Sequence, residues 1–224
     1  MVSSSVIILG SYFIGGVPVA YLTGRVLRGI DIRQYGSGNV GASNIWQSVS
    51  RVAVVPVGLA EIAQGMAGIV IAKATDQSLS VQVLAGLAAL AGHNWSPYLR
   101  FSGGRGVGHA IGFMLMLSWA GLGTFIGVSL AGVALRAIPQ SVGLAIIAAP
   151  VAALVRGQAP EIVLGTVGMA AIIISKRLLT NRLSLPPGAD LRHVLFNRLL
   201  YDRDTRERDP WVQRGQGERT RDSS

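Results

Sequence analysis

The feature that most constrains this chain is its charge-poor apolar runs. Val6 to Leu27 and Val52 to Ala72 are each about 20 residues long, enough for a helix to cross ~30 Å of hydrocarbon. Shorter runs follow at Leu79 to Ala91, Val107 to Leu117, Trp119 to Leu135, Val142 to Val155 and Ile162 to Ser175. Only 14% of the 224 residues are charged, against roughly a quarter in soluble domains. The pattern predicts an all-α membrane protein with about seven transmembrane helices, some short or re-entrant. Gly15, Gly16 and Pro18 should break the first span, and Leu79 to Ala91 is too short to cross upright. Non-helical backbone at membrane depth is tolerated only where it lines a polar cavity, so this short run should lead into a re-entrant loop.

Charge sets the expected orientation. Arg25, Arg28, Arg33 and Arg51, then Arg100 and Arg105, then Arg136, then Lys176, Arg177 and Arg182 occupy alternate connections. The positive-inside rule puts these in the cytoplasm, with the N-terminus outside and the C-terminus inside. The net charge of +9 is then explained by topology and by anionic lipid or phosphate, and nucleic acid is not expected as a partner. With no cysteine there is no thiolate metal site or cysteine nucleophile, and neither a metal nor a cofactor is expected. The N-terminus has no basic stretch before its apolar run, so a cleaved secretory signal is not expected. The domain reading is residues 1–180 in the membrane, 181–201 as an amphipathic surface helix, and 202–224 as a disordered polar tail. Leu191, Val194, Leu195, Leu199 and Leu200 recur at helical spacing within the second segment.

Two glycine-rich stretches carry the chemistry. Gly36-Ser37-Gly38-Asn39-Val40-Gly41-Ala42-Ser43-Asn44 offers bare amides, short hydroxyls and carboxamides, a composition that can surround an anion before a helix expected near Ile45. The second stretch joins Gly92-His93 to Gly103-Gly104-Arg105-Gly106-Val107. Ser37 and Asn39 are read equally well as turn residues bonding their own backbone, and Asn44 as a helix cap.

Together the two stretches resemble the bacterial integral-membrane acyl-phosphate:glycerol-3-phosphate acyltransferases. That family carries G-S-G-N-x-G-A-T-N, here GSGNVGASN, and G-H followed by F-x-G-G-K-G-V, here AGHNWSPYLRFSGGRGV. GGVPVAYLTGR and DIRQYGSGN also match its flanks. The resemblance spans about residues 5 to 182. It implies acyl phosphate and glycerol 3-phosphate as substrates, membrane lipid as surroundings, the inner membrane as location, and glycine-rich loops on the cytoplasmic face. An acyl phosphate is a mixed anhydride with a good leaving group, so holding two phosphates and one hydroxyl in register is the main task.

The implied catalytic residues are Arg105, His93 and Ser37. Arg105 stands where the family has Lys and would clamp phosphate with a planar fork. His93 would orient the loop, bind phosphate or act as general base. The implied binding residues are Gly36, Ser37, Gly38, Asn39, Gly41, Ser43, Asn44, Gly103, Gly104, Gly106, His109 and Ser141, with Arg51 added. Ser43 replaces a family Thr. His109 stands where the family has a small hydroxyl residue and, if helix begins at Arg105, the two share a face. Ser141 matches a later serine. Three positions depart from the family. Gln64 follows Glu61 where a Lys is expected, Gln47 replaces an Arg, and the closing His-x-x-Asn is only partly present around Asn181 or around His193 and Asn197. Arg51, four residues after Gln47, is expected to supply the missing arginine from the same helical face. A carboxylate at depth marks Glu61 as functional or as an arginine's partner. No His is followed five residues on by Asp, which separates the chain from other glycerolipid acyltransferases. The competing reading is a non-enzymatic, anion-binding or transporter-like membrane protein, although the two glycine motifs do not form the repeat of a transporter.

Overall fold

The computed structural model describes residues 2–179 and 190–204, and among these the regular structure is entirely helical. The first apolar run is broken as its glycines and proline require. α1 covers Ser4–Gly16 and α2 covers Val19–Arg28, with Val17 and Pro18 between them. Pro18 has no N–H to donate, and carbonyls at the break need outside partners. Gln64 supplies Nε2 to Ile14 O at 3.0 Å and Val17 O at 3.1 Å, and Ser96 Oγ donates to Gly16 O at 2.6 Å. The glutamine that stands in place of the expected lysine therefore binds broken backbone.

A short 3-10 helix, Ile32–Gln34, leads through the first glycine motif into α3, Ala42–Ser48. The remaining apolar runs become α4 (Val54–Ala74), α5 (Leu79–Asn94), α6 (Val107–Leu117), α7 (Trp119–Ala134), α8 (Ile138–Val155) and α9 (Pro160–Leu178). Ser4–Arg28, which holds α1 and α2, together with α4 and α8 are long and apolar enough to span a bilayer by themselves, and α6 and α7 are shorter apolar helices.

In lipid, helices associate by close packing of small residues, because tails are as apolar as leucine. α1 lies along α5, where Gly15 abuts the Ala89 backbone and Gly92 abuts the Tyr12 carbonyl. α4 lies along α6 through Gly65 against His109 and Gly112 against Ile62. One buried cluster, including Ile69, Leu90, Phe113, Met114, Ile146 and Ile173, ties α4, α5, α6, α8 and α9 together. A second, with Ala20, Ile32, Val40, Ile45, Val57 and Leu99, sits under the first glycine motif and fixes it to α2 and α4.

α10, Leu191–Tyr201, follows the expected leucine spacing and packs against α8 and α9. The chain does not become free at Asp202. Asp204 is buried and accepts a 2.6 Å bond from Arg198 Nε, while Arg198 Nη1 reaches Leu178 O at 2.8 Å. The described residues therefore extend the packed structure past the expected boundary at 202. Asn181, Arg182 and the tail beyond 204 lie outside the described residues.

Candidate active site

The first motif is shaped by local chemistry. Asp31 accepts from the Arg33 backbone at 3.0 Å and pairs with its guanidinium at 2.6 Å, a contact that holds the Asp31 carboxyl below the usual carboxylate range. Arg33 also lies over the Tyr21 ring, and Arg25 bonds the Tyr21 hydroxyl, so both upstream arginines have local partners. Gly36 has φ +54°, a conformation costly for other residues, and a Cβ there would strike the Asn44 side chain. Ser37 Oγ accepts weakly from Asn39 N–H at 3.4 Å, the local turn contact open to such a residue.

Asn44 is the keystone of this loop. It is fully buried, and its Nδ2 lies 2.8 Å from Ile32 O, 3.1 Å from Tyr35 O and 2.9 Å from Asn39 O, while Oδ1 accepts from Ser48 Oγ at 3.0 Å. The helix starts at Ala42, three residues earlier than expected, so Asn44 lies within its first turn and is not its cap. Its amide hydrogens bond the protein's own carbonyls, so within the described residues Asn44 shapes the motif loop. α3 has seven residues, too short for the helix end to add much field. Ser43 is exposed on it, free of such constraint.

The second glycine stretch closes over the first. Gly104 N–H donates to His93 O at 3.0 Å, and a Cβ at Gly104 would collide with His93 Nε2 and Val40 O. Only a glycine allows both motif loops and the imidazole to meet at this point. Gly103 fits equally tightly against the His93 and Asn94 carbonyls, and Gly106 opens α6 with φ +75°. Gly41 and Gly108 meet the buried Glu61 from two sides, and its Oε1 has no hydrogen-bond partner among the described residues. Among the described residues Glu61 has no arginine partner, so the ion-pair account of it is not met. Glu61 instead sits between Gly41 of the first glycine stretch and Gly108 in the first turn of α6.

His93 and His109 are both buried, with ring centroids 4.2 Å apart at 34°. Because α6 begins at Val107, Arg105 lies before the helix and shares no face with His109. Arg105 turns the other way. It ion-pairs with Asp202 at 2.5 Å, and its Nη2 donates to Asp202 O at 2.7 Å. Arg177 Nε lies 3.7 Å from the same carboxylate.

Arg51 and Ser141 make local contacts. Helix α3 ends at Ser48, so Arg51 is not a turn beyond Gln47 on one face; it is exposed with its guanidinium 5.8 Å from the Trp46 ring. Ser141 donates to Ala137 O within its own helix and packs on Gly132 of α7. The sequence reading missed Asn94, which is fully buried beside Gly106 with neither amide atom hydrogen-bonded among the described residues. Its adjacency to Gly92-His93 was the available signal.

A model of the glycerol-3-phosphate acyltransferase family matches residues 5–184, which hold both glycine stretches. The chain belongs to that family. Among relatives of the same name, one from Dehalococcoides mccartyi is 32% identical over 212 residues, covering 92% of this chain and 91% of that one. Another, from a Synechococcus strain, is 40% identical over 154 residues, covering 66% and 77%. The fold is that of PlsY, an integral-membrane glycerol 3-phosphate acyltransferase solved in a glycerol 3-phosphate form. TM-score is 0.76, at 24% identity over 92% of this chain and 96% of that one. A lysophosphatidic acid form of PlsY superposes with TM-score 0.74.

Proposed function

We propose that this acyltransferase moves the acyl group of an acyl phosphate to the 1-hydroxyl of glycerol 3-phosphate, giving 1-acylglycerol 3-phosphate for phospholipid synthesis. The observation that carries this reading is the meeting of Gly104, Val40 and His93, which sets an arginine-bearing loop directly against a polar glycine loop. The hydroxyl oxygen attacks the carbonyl carbon, the carbonyl–phosphate bond breaks, and the departing phosphate carries off the hydroxyl proton. No covalent enzyme intermediate is needed. Arg105 binds a phosphate, Ser37 and Asn39 line the acceptor's place, and catalysis comes from positioning and charge. His93 packs its Nε2 edge on Gly104 and its face beside His109, a setting that suits holding the loop better than shuttling a proton. Both glycine loops face the cytoplasm of a bacterial inner membrane, as the arginine asymmetry expects.

The experiment is direct. Purified protein in detergent, given labelled glycerol 3-phosphate and acyl phosphate, should form labelled 1-acylglycerol 3-phosphate. Binding of glycerol 3-phosphate without turnover would support the non-catalytic alternative.

A further inference from the structure

Arg105, the proposed phosphate clamp, already holds an anion, and that anion comes from the protein itself. Asp202 follows α10, beyond the 5–184 stretch that the family model matches. Its carboxylate pairs with Arg105 and, at 3.7 Å, approaches Arg177. Lys176, which precedes Arg177 on α9, is buried with its ammonium 5.8 Å from the Trp95 ring. Among the described residues, Asp202 is the carboxylate that pairs with Arg105 and approaches Arg177. Arginine receives carboxylate and phosphate with the same planar fork, so the two ligands compete for one geometry.

α10 is held so that Asp202 arrives there. Arg177 Nη1 donates to Leu199 O at 3.1 Å, Arg198 bonds Leu178 O and Asp204, and Asn197 Nδ2 reaches Asp204 O at 3.1 Å. Asp202 has φ +58°, which lets the chain turn back at the helix end. The geometry points to Asp202 as a resident anion that keeps the place of a substrate phosphate on Arg105 and Arg177, so that phosphate binding displaces the end of α10. This inference rests on the reading of Arg105 as the phosphate clamp. It adds a competitor to that site and brings in Arg177 as its second cation.

Inorganic phosphate is the probe, titrated calorimetrically into the full-length protein in detergent. Asp202→Asn removes the charge and keeps both the main-chain acceptor for Arg105 and a residue tolerant of positive φ. The expected result is tighter phosphate binding, roughly three- to tenfold, with a matching fall in KM for the phosphorylated substrate, because the occupied fraction no longer taxes affinity. Asp202→Gly, which also fits the backbone, should act in the same direction and replaces the Asn variant should that one misfold. A residue that merely orients Arg105 would give weaker binding on removal. Unchanged or weaker phosphate binding in the Asp202 variants, with Arg105→Gln still abolishing it, overturns the inference and leaves the clamp in place. Phosphate binding unaffected by Arg105→Gln overturns the clamp and the inference together.

Discussion

Asn44 offers the sharpest test of how the first motif keeps its shape. Its two amide hydrogens serve the carbonyls of Ile32, Tyr35 and Asn39, so two bonds are made at full strength or three are shared. Asn44→Ala leaves those acceptors in a buried site without a donor. At about 1–1.5 kcal/mol per lost bond, the cost is roughly 3 kcal/mol. Part of that falls on global stability and part on loop order. A shift of that size is about a hundredfold in an equilibrium, enough to depopulate the ordered loop. Thermal unfolding in detergent should fall by several degrees, and KM for glycerol 3-phosphate should rise. Asn44→Asp preserves shape but has no donor and sets a charge among carbonyls, so it should be at least as damaging. Asn44→Ala with unchanged melting and unchanged KM would refute the idea that this amide shapes the loop.

The other expectations follow from the same contacts. Gly104→Ala places a methyl group against His93 Nε2 and Val40 O, and should reduce activity about tenfold or more, read as kcat/KM alongside melting temperature. Arg105→Ala should lose a hundredfold or more, roughly, with Arg105→Lys retaining a measurable fraction, since a cation opposite phosphate contributes several kcal/mol. In this cysteine-free chain, single cysteines at the exposed Gln34 and half-buried Ser102 should resist impermeant thiol reagents in intact cells. Labelling of both from outside would reverse the orientation.

Much of the architecture was legible because apolar length and Pro18 act locally. The seven apolar runs became helices near their expected bounds, and the first broke where glycine and proline required. The glycine motifs were legible as well, since a residue such as Gly104 is demanded by what approaches it. What could not be read were contacts between residues far apart in sequence. Gln64 looked like a lost cation, yet it satisfies carbonyls exposed some fifty residues earlier. Arg51 looked like a replacement for Gln47 on the premise of a helix that ends at Ser48. Asp202 looked like the first residue of a solvated tail, because nothing local reveals that Arg105 lies within reach. Periodicity reports which face is buried; it does not report which distant partner buries it.

The central claim is acyl transfer from acyl phosphate at a site built of cations and amides. Its most direct test compares donors in one purified preparation, following incorporation of labelled glycerol 3-phosphate with acyl phosphate, acyl-coenzyme A or acyl carrier protein present alone. Acyl phosphate should support turnover that depends on Arg105, with the thioesters supporting little. Equal or faster turnover with a thioester, or no product from acyl phosphate in a protein that still binds glycerol 3-phosphate, would contradict it.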